Sequence, residues 1–180
     1  MSRINEMVRV SLEAATLTLQ KGKYGSMTTI TNKQQAVIFD LDGTLFDNRH
    51  RVHLAANKQW DEYLAEVKND ELIIPIADFL KEHQTEGKLI LIWSARCEST
   101  KDITESMLRE GGITWDSLML RPIGDYRSDV VIKEQQYVSY HKANPEVEIV
   151  HAYDDRPNIL ALWRQYGIST TQVHLHEDIE

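Results

Sequence analysis

Several things are scarce in this chain of 180 residues. It has one cysteine, Cys97, so no disulfide can form within it, which fits a reducing compartment. No apolar run approaches the roughly 18 residues of a membrane-spanning helix. The first residues, MSRINEMVRVSLEAATL, lack the uninterrupted apolar core of a secretory signal. Positive charge is short as well: 20 Lys and Arg against 28 Asp and Glu leave a net charge of −8. That balance argues against a broad nucleic-acid groove or an anionic membrane surface as the main partner, though it leaves room for a small basic pocket. A cytoplasmic protein without a membrane role is the expectation.

The 42% of hydrophobic residues suffices for one sizeable core. Apolar residues at helical spacing over 3–20 predict a helix, and the polar, glycine-bearing stretch up to Gln35 reads as a linker. The remainder, 36–180, is expected to be the functional domain. Its strand candidates are AVIFD (36–40), KLILIW (88–93), SLMLR (117–121), VEIVHAY (147–153) and TTQVHL (170–175). Helix-like stretches lie between them at about 55–67, 75–86, 100–110, 127–142 and 156–166. Strands separated by helices imply an α/β fold whose parallel sheet is covered on both faces, which explains strands that are apolar throughout.

Ligands of open α/β sheets bind beyond the carboxyl ends of the strands. Polar residues follow three candidate strands at that point: Asp40 and Asp42 after AVIF, Ser94 and Arg96 after LILIW, Asp154 and Asp155 after IVHAY. If these strands are neighbours, four carboxylates converge. Like charges about 4 Å apart repel by several kcal/mol at intermediate dielectric. A hard divalent cation such as Mg²⁺, which favours carboxylate and phosphate oxygens, relieves that cost. A carboxylate can attack phosphorus, and a second can shuttle the proton. Asp40 is the expected nucleophile and Asp42 the acid and base. Gly43 and Thr44 suit a turn whose amides meet phosphate. Arg96 has the planar fork that suits phosphate oxygens, and Asp129 stands four residues before Lys133 as a helical ion-pair partner. DDRP also reads as a helix N-terminus.

DLDGT resembles the first signature of the haloacid dehalogenase superfamily. Ser94 in WSAR, Lys133 in DVVIKEQ and YDDRPN resemble the second, third and fourth. FDNRHR, WSARCEST, RPIGDYRSDVVIKEQ and DDRPNILALWRQYGI are further similar to the phosphatase half of polynucleotide kinase-phosphatases. Ala95 departs from the usual glycine, and no G-x-x-x-x-G-K-[ST] kinase motif occurs in the chain. The resemblance implies a five-stranded parallel sheet in the order 5-4-1-2-3 with a small helical cap at about 48–87. It also implies an Mg²⁺-dependent phosphomonoesterase acting on nucleic-acid 3′-phosphate ends or nucleotide monophosphates. By the same resemblance Ser94 and Lys133 join Asp40 and Asp42 in catalysis. Asp155, Asp40 and the carbonyl of Asp42 would hold the metal, with Asp154 on a metal-bound water or Lys133. Arg49, Arg51, Arg96 and Thr44 are the candidate substrate contacts. Trp60 and Tyr63 pack a cap helix or stack a base. Two other readings stay open: a 5′-nucleotidase or other small-metabolite phosphatase, and an inactive member of the fold kept as a binding module.

Overall fold

The computed structural model describes residues 19–21, 27–29 and 33–175. The chain divides into two compact units, Met1–Lys33 and Gln34–Glu180. In the first, β1 (Leu19–Lys21) pairs antiparallel with β2 (Met27–Thr29). These short strands occupy the end of the expected helix 3–20 and the middle of the expected linker. The rest of both stretches lies outside the described residues.

The second unit runs β3 (Gln34–Phe39), β4 (Phe46–Asp47), α1 (Arg49–Ala56), α2 (Trp60–Ala65), β5 (Glu71–Leu72), α3 (Ile74–Thr85), β6 (Leu89–Cys97) and α4 (Lys101–Glu110). It continues with β7 (Ser117–Arg121), α5 (Asp129–Ala143), β8 (Val147–Asp154), α6 (Pro157–Gln165) and β9 (Ser169–Gln172). Five of these strands form one all-parallel sheet in the order β9-β8-β3-β6-β7. Numbered within that sheet alone, this is 5-4-1-2-3. The short β4 and β5 pair separately, antiparallel.

Alternate residues of a strand face opposite ways, so each central strand feeds two cores. Val37, Phe39, Ile90 and Ile92 pack against Ile76, Ala77 and Leu80 of α3 and Met107 and Leu108 of α4. Ala36, Ile38, Leu91 and Trp93 pack on the other face against Ile159, Leu162 and Trp163 of α6, with Tyr137 and Tyr140 of α5 at the margin. Burying each such side chain stabilises the fold by about 1.5–3 kcal/mol relative to leaving it in water. Helix α3 therefore belongs to the layer on the sheet, although it falls inside the stretch 48–87 ascribed to a cap.

The expected helix 55–67 begins earlier and is interrupted: one helix starts at Arg49 and a second covers Trp60–Ala65. α1 ends at Ala56, and Lys58 takes a left-handed φ of 60° before α2 begins at Trp60. A non-glycine residue there costs about 1–2 kcal/mol and cannot continue a right-handed helix. Helix α1 buries only Arg51, and α2 buries nothing.

Candidate active site

Strand register assembles the site. Phe39 pairs with Ile92 on one side and Tyr153 on the other, so Asp40 leaves the sheet beside Asp154, with Ser94 just beyond. Behind Asp40 the chain turns at Gly43, whose φ is +79°. A Cβ at this position would lie 2.8 Å from Asp155 Oδ2, so only glycine lets the two loops approach this closely.

Lys133, buried in the first turns of α5, reaches between two strand ends. Its Nζ donates to Asp40 Oδ1 at 2.7 Å and to Asp154 Oδ2 at 2.5 Å. Burial pulls the ammonium pKa down, but Asp154 and Asp40 outweigh it and raise the pKa above its ordinary value. Asp154 is itself fully buried, and its Oδ1 also accepts the Arg156 backbone N–H at 3.0 Å. DDRP does open α6, with Pro157 in its first turn, but no side chain caps the helix. Asp40, Asp154 and Asp155 each place one carboxylate oxygen within 4.8 Å of the others. Burial, then the neighbouring Lys133, Asp154 and Asp42 charges, set the Asp40 carboxyl at about 6, a net rise. Burial, with Asp40 and Asp154, pushes Asp155 up to about 7. Asp155 Oδ1 is buried without a hydrogen-bond partner among the described residues. An all-oxygen donor set, mutual repulsion and a waiting acceptor together fit one hard divalent cation.

The second cluster is built on Asp42. Its Oδ1 accepts from Arg51 Nη2 and, at 2.5 Å, from Arg96 Nη2. Asp70 completes the group: Oδ1 accepts Arg51 Nε at 2.6 Å, and Oδ2 accepts Arg51 Nη2 and Arg96 Nη2, each at 2.7 Å. Burial would raise the Asp42 pKa, but Arg96 and Arg51 hold it below the usual carboxylate range. Tyr63 lies on the other side of Arg51, with the guanidinium carbon 4.2 Å from its ring centre.

Several expectations change. Arg49 forks onto Asp47, Nε to Oδ1 at 3.0 Å and Nη2 to Oδ2 at 2.7 Å, and does not line the cleft. Thr44 is fully buried, and its N–H donates to Leu41 O at 3.2 Å while Gly43 N–H donates to Phe46 O at 2.8 Å. These amides close the turn rather than face a ligand. Asp129 pairs with Arg121 and Arg156 instead of Lys133. The strand-end aspartates bind Lys133 from the buried side, and Asp129 turns to the rim. Ser94 is buried; its Oγ accepts Arg96 N–H at 3.1 Å, and its carbonyl accepts Gln136 Nε2 at 3.0 Å. Sequence reasoning missed Asp70 and Gln136 altogether. Neither bears a motif; only the tertiary fold brings them in.

A cleft of about 1000 Å³ opens over this floor. Asp40, Asp42, Ser94, Arg96 and Lys133 line it, as do Trp60 and Tyr63 from α2 and Ile123, Tyr126 and Arg127 from the loop after β7. Its acidic residues are Asp40, Asp42, Asp61, Glu62, Asp125 and Asp129; its basic ones are Lys58, Arg96, Arg121, Arg127, Lys133 and Arg156. The walls are thus balanced in a chain that is acidic overall. Among the described residues no helix is long and apolar enough to cross a membrane.

Residues 34–177 match the family model of the polynucleotide kinase PNKP phosphatase domain. Among solved structures, a chain of a Pnkp1/Rnl/Hen1 complex is 25% identical with a TM-score of 0.68 over 94% of this chain and 61% of its own length. A chain of a Pnkp1/Rnl/Hen1 RNA repair complex is 26% identical with a TM-score of 0.68, over 88% of this chain and 46% of its own. This protein therefore spans less than two thirds of either. The class C acid phosphatase of Bacillus anthracis with tungstate bound shares the fold at 19% identity and a TM-score of 0.51, over 81% of this chain and 70% of its own. With a carboxylate triad and its lysine at the ends of the central strands, and with most of its length matched, the chain belongs to the PNKP phosphatase-domain family of haloacid dehalogenase phosphatases.

Proposed function

We propose that the protein is an Mg²⁺-dependent phosphomonoesterase acting through an aspartyl-phosphate on Asp40, with nucleic-acid 3′-phosphate ends or nucleotide 3′-monophosphates as substrates. The observation that supports it most is Lys133, buried and hydrogen-bonded to both Asp40 and Asp154 within the carboxylate triad. Asp40, Asp155 and Asp154 or the Asp42 backbone would hold the cation, which would neutralise charge on the triad and on the phosphate.

In the first step an Asp40 oxygen attacks phosphorus and the bond to the leaving oxygen breaks. That oxygen takes a proton from the Asp42 carboxyl. In the second step water attacks the acyl phosphate and gives its proton to Asp42. The phosphorus–Asp40 bond breaks, and inorganic phosphate leaves. Arg51 and Arg96 keep Asp42 ionised in the free chain, the form that accepts a proton. A substrate phosphate that draws the Arg96 guanidinium, which lines the cleft, away from Asp42 lets Asp42 carry the proton needed in the first step, while the fully buried Arg51 stays on Asp70. Ser94 and Lys133 supply donors to the phosphate oxygens, while Arg96 both holds Asp42 and faces the cleft.

A panel of 3′- and 5′-nucleotides, 3′-phosphorylated oligonucleotides and sugar phosphates, run with Mg²⁺ and with chelator, tests the reading. Preference for 3′-phosphates supports it, and preference for 5′-nucleotides or sugar phosphates selects the metabolite phosphatase instead. No turnover anywhere on the panel points to a binding module.

A further inference from the structure

We propose that Trp60 and Tyr126 are stacking platforms for the bases of a single-stranded 3′ end whose terminal phosphate lies at Asp40. This rests on the phosphatase reading above and specifies what the cleft grips beyond the phosphate.

An isolated exposed aromatic residue is ordinary. These two differ in how they are held. Trp60 opens α2, is 55% exposed and lines the cleft. It meets Tyr63 edge-on, with ring centres 6.1 Å apart and planes at 87°. Tyr63 carries the Arg51 guanidinium on its ring, and Arg51 holds Asp42. The indole is thus positioned by a continuous line of contacts running back to the reacting carboxylates. Tyr126 comes from the loop between β7 and α5 and is 95% exposed. Its loop is nevertheless pinned on both sides: Arg121 Nη1 donates to Asp125 O at 3.1 Å and to Arg127 O at 2.6 Å, and Arg127 Nε donates to Asp125 Oδ1 at 2.9 Å. The fold fixes the backbone on either side of this tyrosine and leaves its ring in water. Such a ring is prepared for a flat apolar partner, and every nucleobase has one face to offer.

Charge points the same way. Arg127 and Arg156 stand half-exposed in the cleft wall, whose charges cancel although the chain carries −8. This suits a short, flexible end with one or two backbone phosphates. The bases of a duplex are already stacked and paired, so an unpaired strand is the occupant that fits.

The test uses the full chain with Asp40→Asn, titrated with a 3′-phosphorylated trinucleotide and with the same molecule carrying abasic sugars at its last two positions. Tryptophan fluorescence reads binding. Stacking contributes enough per base that the abasic ligand should bind about tenfold more weakly or worse. Tyr126→Ala and Trp60→Ala should each lose about tenfold in affinity, with Tyr126→Phe and Trp60→Phe restoring most of it. In the active chain the same alanine variants should raise KM and leave kcat unchanged. If Trp60→Ala loses its fold through the missing Tyr63 contact, Tyr126→Ala carries the test, since its ring packs on little. Equal kcat/KM for ordinary and abasic 3′-phosphate ends, unchanged by Tyr126→Ala, would overturn the stacking proposal and leave the phosphatase reading standing. Absence of turnover on any 3′-phosphate would overturn both.

Discussion

Arg51 and Asp70 meet in a two-pronged ion pair in which neither side chain has any exposure. The pair links α1 to the turn before β5, and Arg96 shares the same aspartate. Removing one partner of a buried pair leaves the other charge uncompensated, at about 3–5 kcal/mol. Asp70→Ala is therefore expected to lower stability by that amount in urea unfolding. A loss below about 1 kcal/mol would show that Asp42 alone suffices to neutralise both arginines. Arg51→Lys should not rescue the site, because an ammonium cannot reproduce the fork that joins Asp42 and Asp70.

Asp40→Asn is expected to abolish turnover while leaving the fold intact. Lys133 retains Asp154, and one charge leaves a cluster in which burial, with Asp40 and Asp154 beside it, already lifts Asp155 to about 7. With chelator present the melting temperature should hold or rise. Wild-type activity in this variant would remove Asp40 from its role.

Asp155→Ala is expected to raise the Mg²⁺ concentration for half-maximal activity by at least about tenfold, since a small cation with few protein ligands loses one of them. Excess Ca²⁺ should inhibit the wild type through its looser, higher coordination. A rate indifferent to chelator would exclude a metal role for the triad.

His151 gives a pH prediction away from the cluster. Its Nε2 is 2.8 Å from Thr171 Oγ1, and its ring lies 4.8 Å from that of Tyr153. Burial, with His83 and Lys88 nearby, pulls its imidazole below the ordinary value of 6.5. Below 6.5 the unfolded chain then binds the proton more readily than the folded one, so this residue makes stability fall as pH falls through that window. His151→Asn should flatten the change in urea midpoint between pH 7 and pH 5 relative to wild type. Identical pH profiles would assign that slope elsewhere.

The sequence discloses the groups set by strand ends. Asp40, Ser94 and Asp154 follow apolar runs whose parallel pairing is itself readable, so their convergence needs only adjacent strands. Partners set by long-range packing leave no such trace. Asp70 lies in the polar stretch KNDEL, indistinguishable from a solvated turn until Arg51 folds over it. Asp129 has the spacing to pair with Lys133, yet two arginines from other elements take it. The break between α1 and α2 is equally silent, because AANKQW contains neither glycine nor proline at the turning point.

The burial of α1 and α2 has a consequence for hydrogen exchange. Residues 49–65 place one side chain, Arg51, in the interior, and an ionic cluster holds it there. Local opening of this segment exposes little apolar surface, so its free energy lies well below that of global unfolding. Its amides should exchange together, ahead of those in α3, whose Ile76, Ala77 and Leu80 are embedded in the core. Protons of the helical pair would then report the state of Asp42 and Asp70, slowing when an anion and cation occupy the floor of the cleft and quickening when either aspartate is neutralised. The backbone above the site thus becomes an isotopic gauge of the charge beneath it.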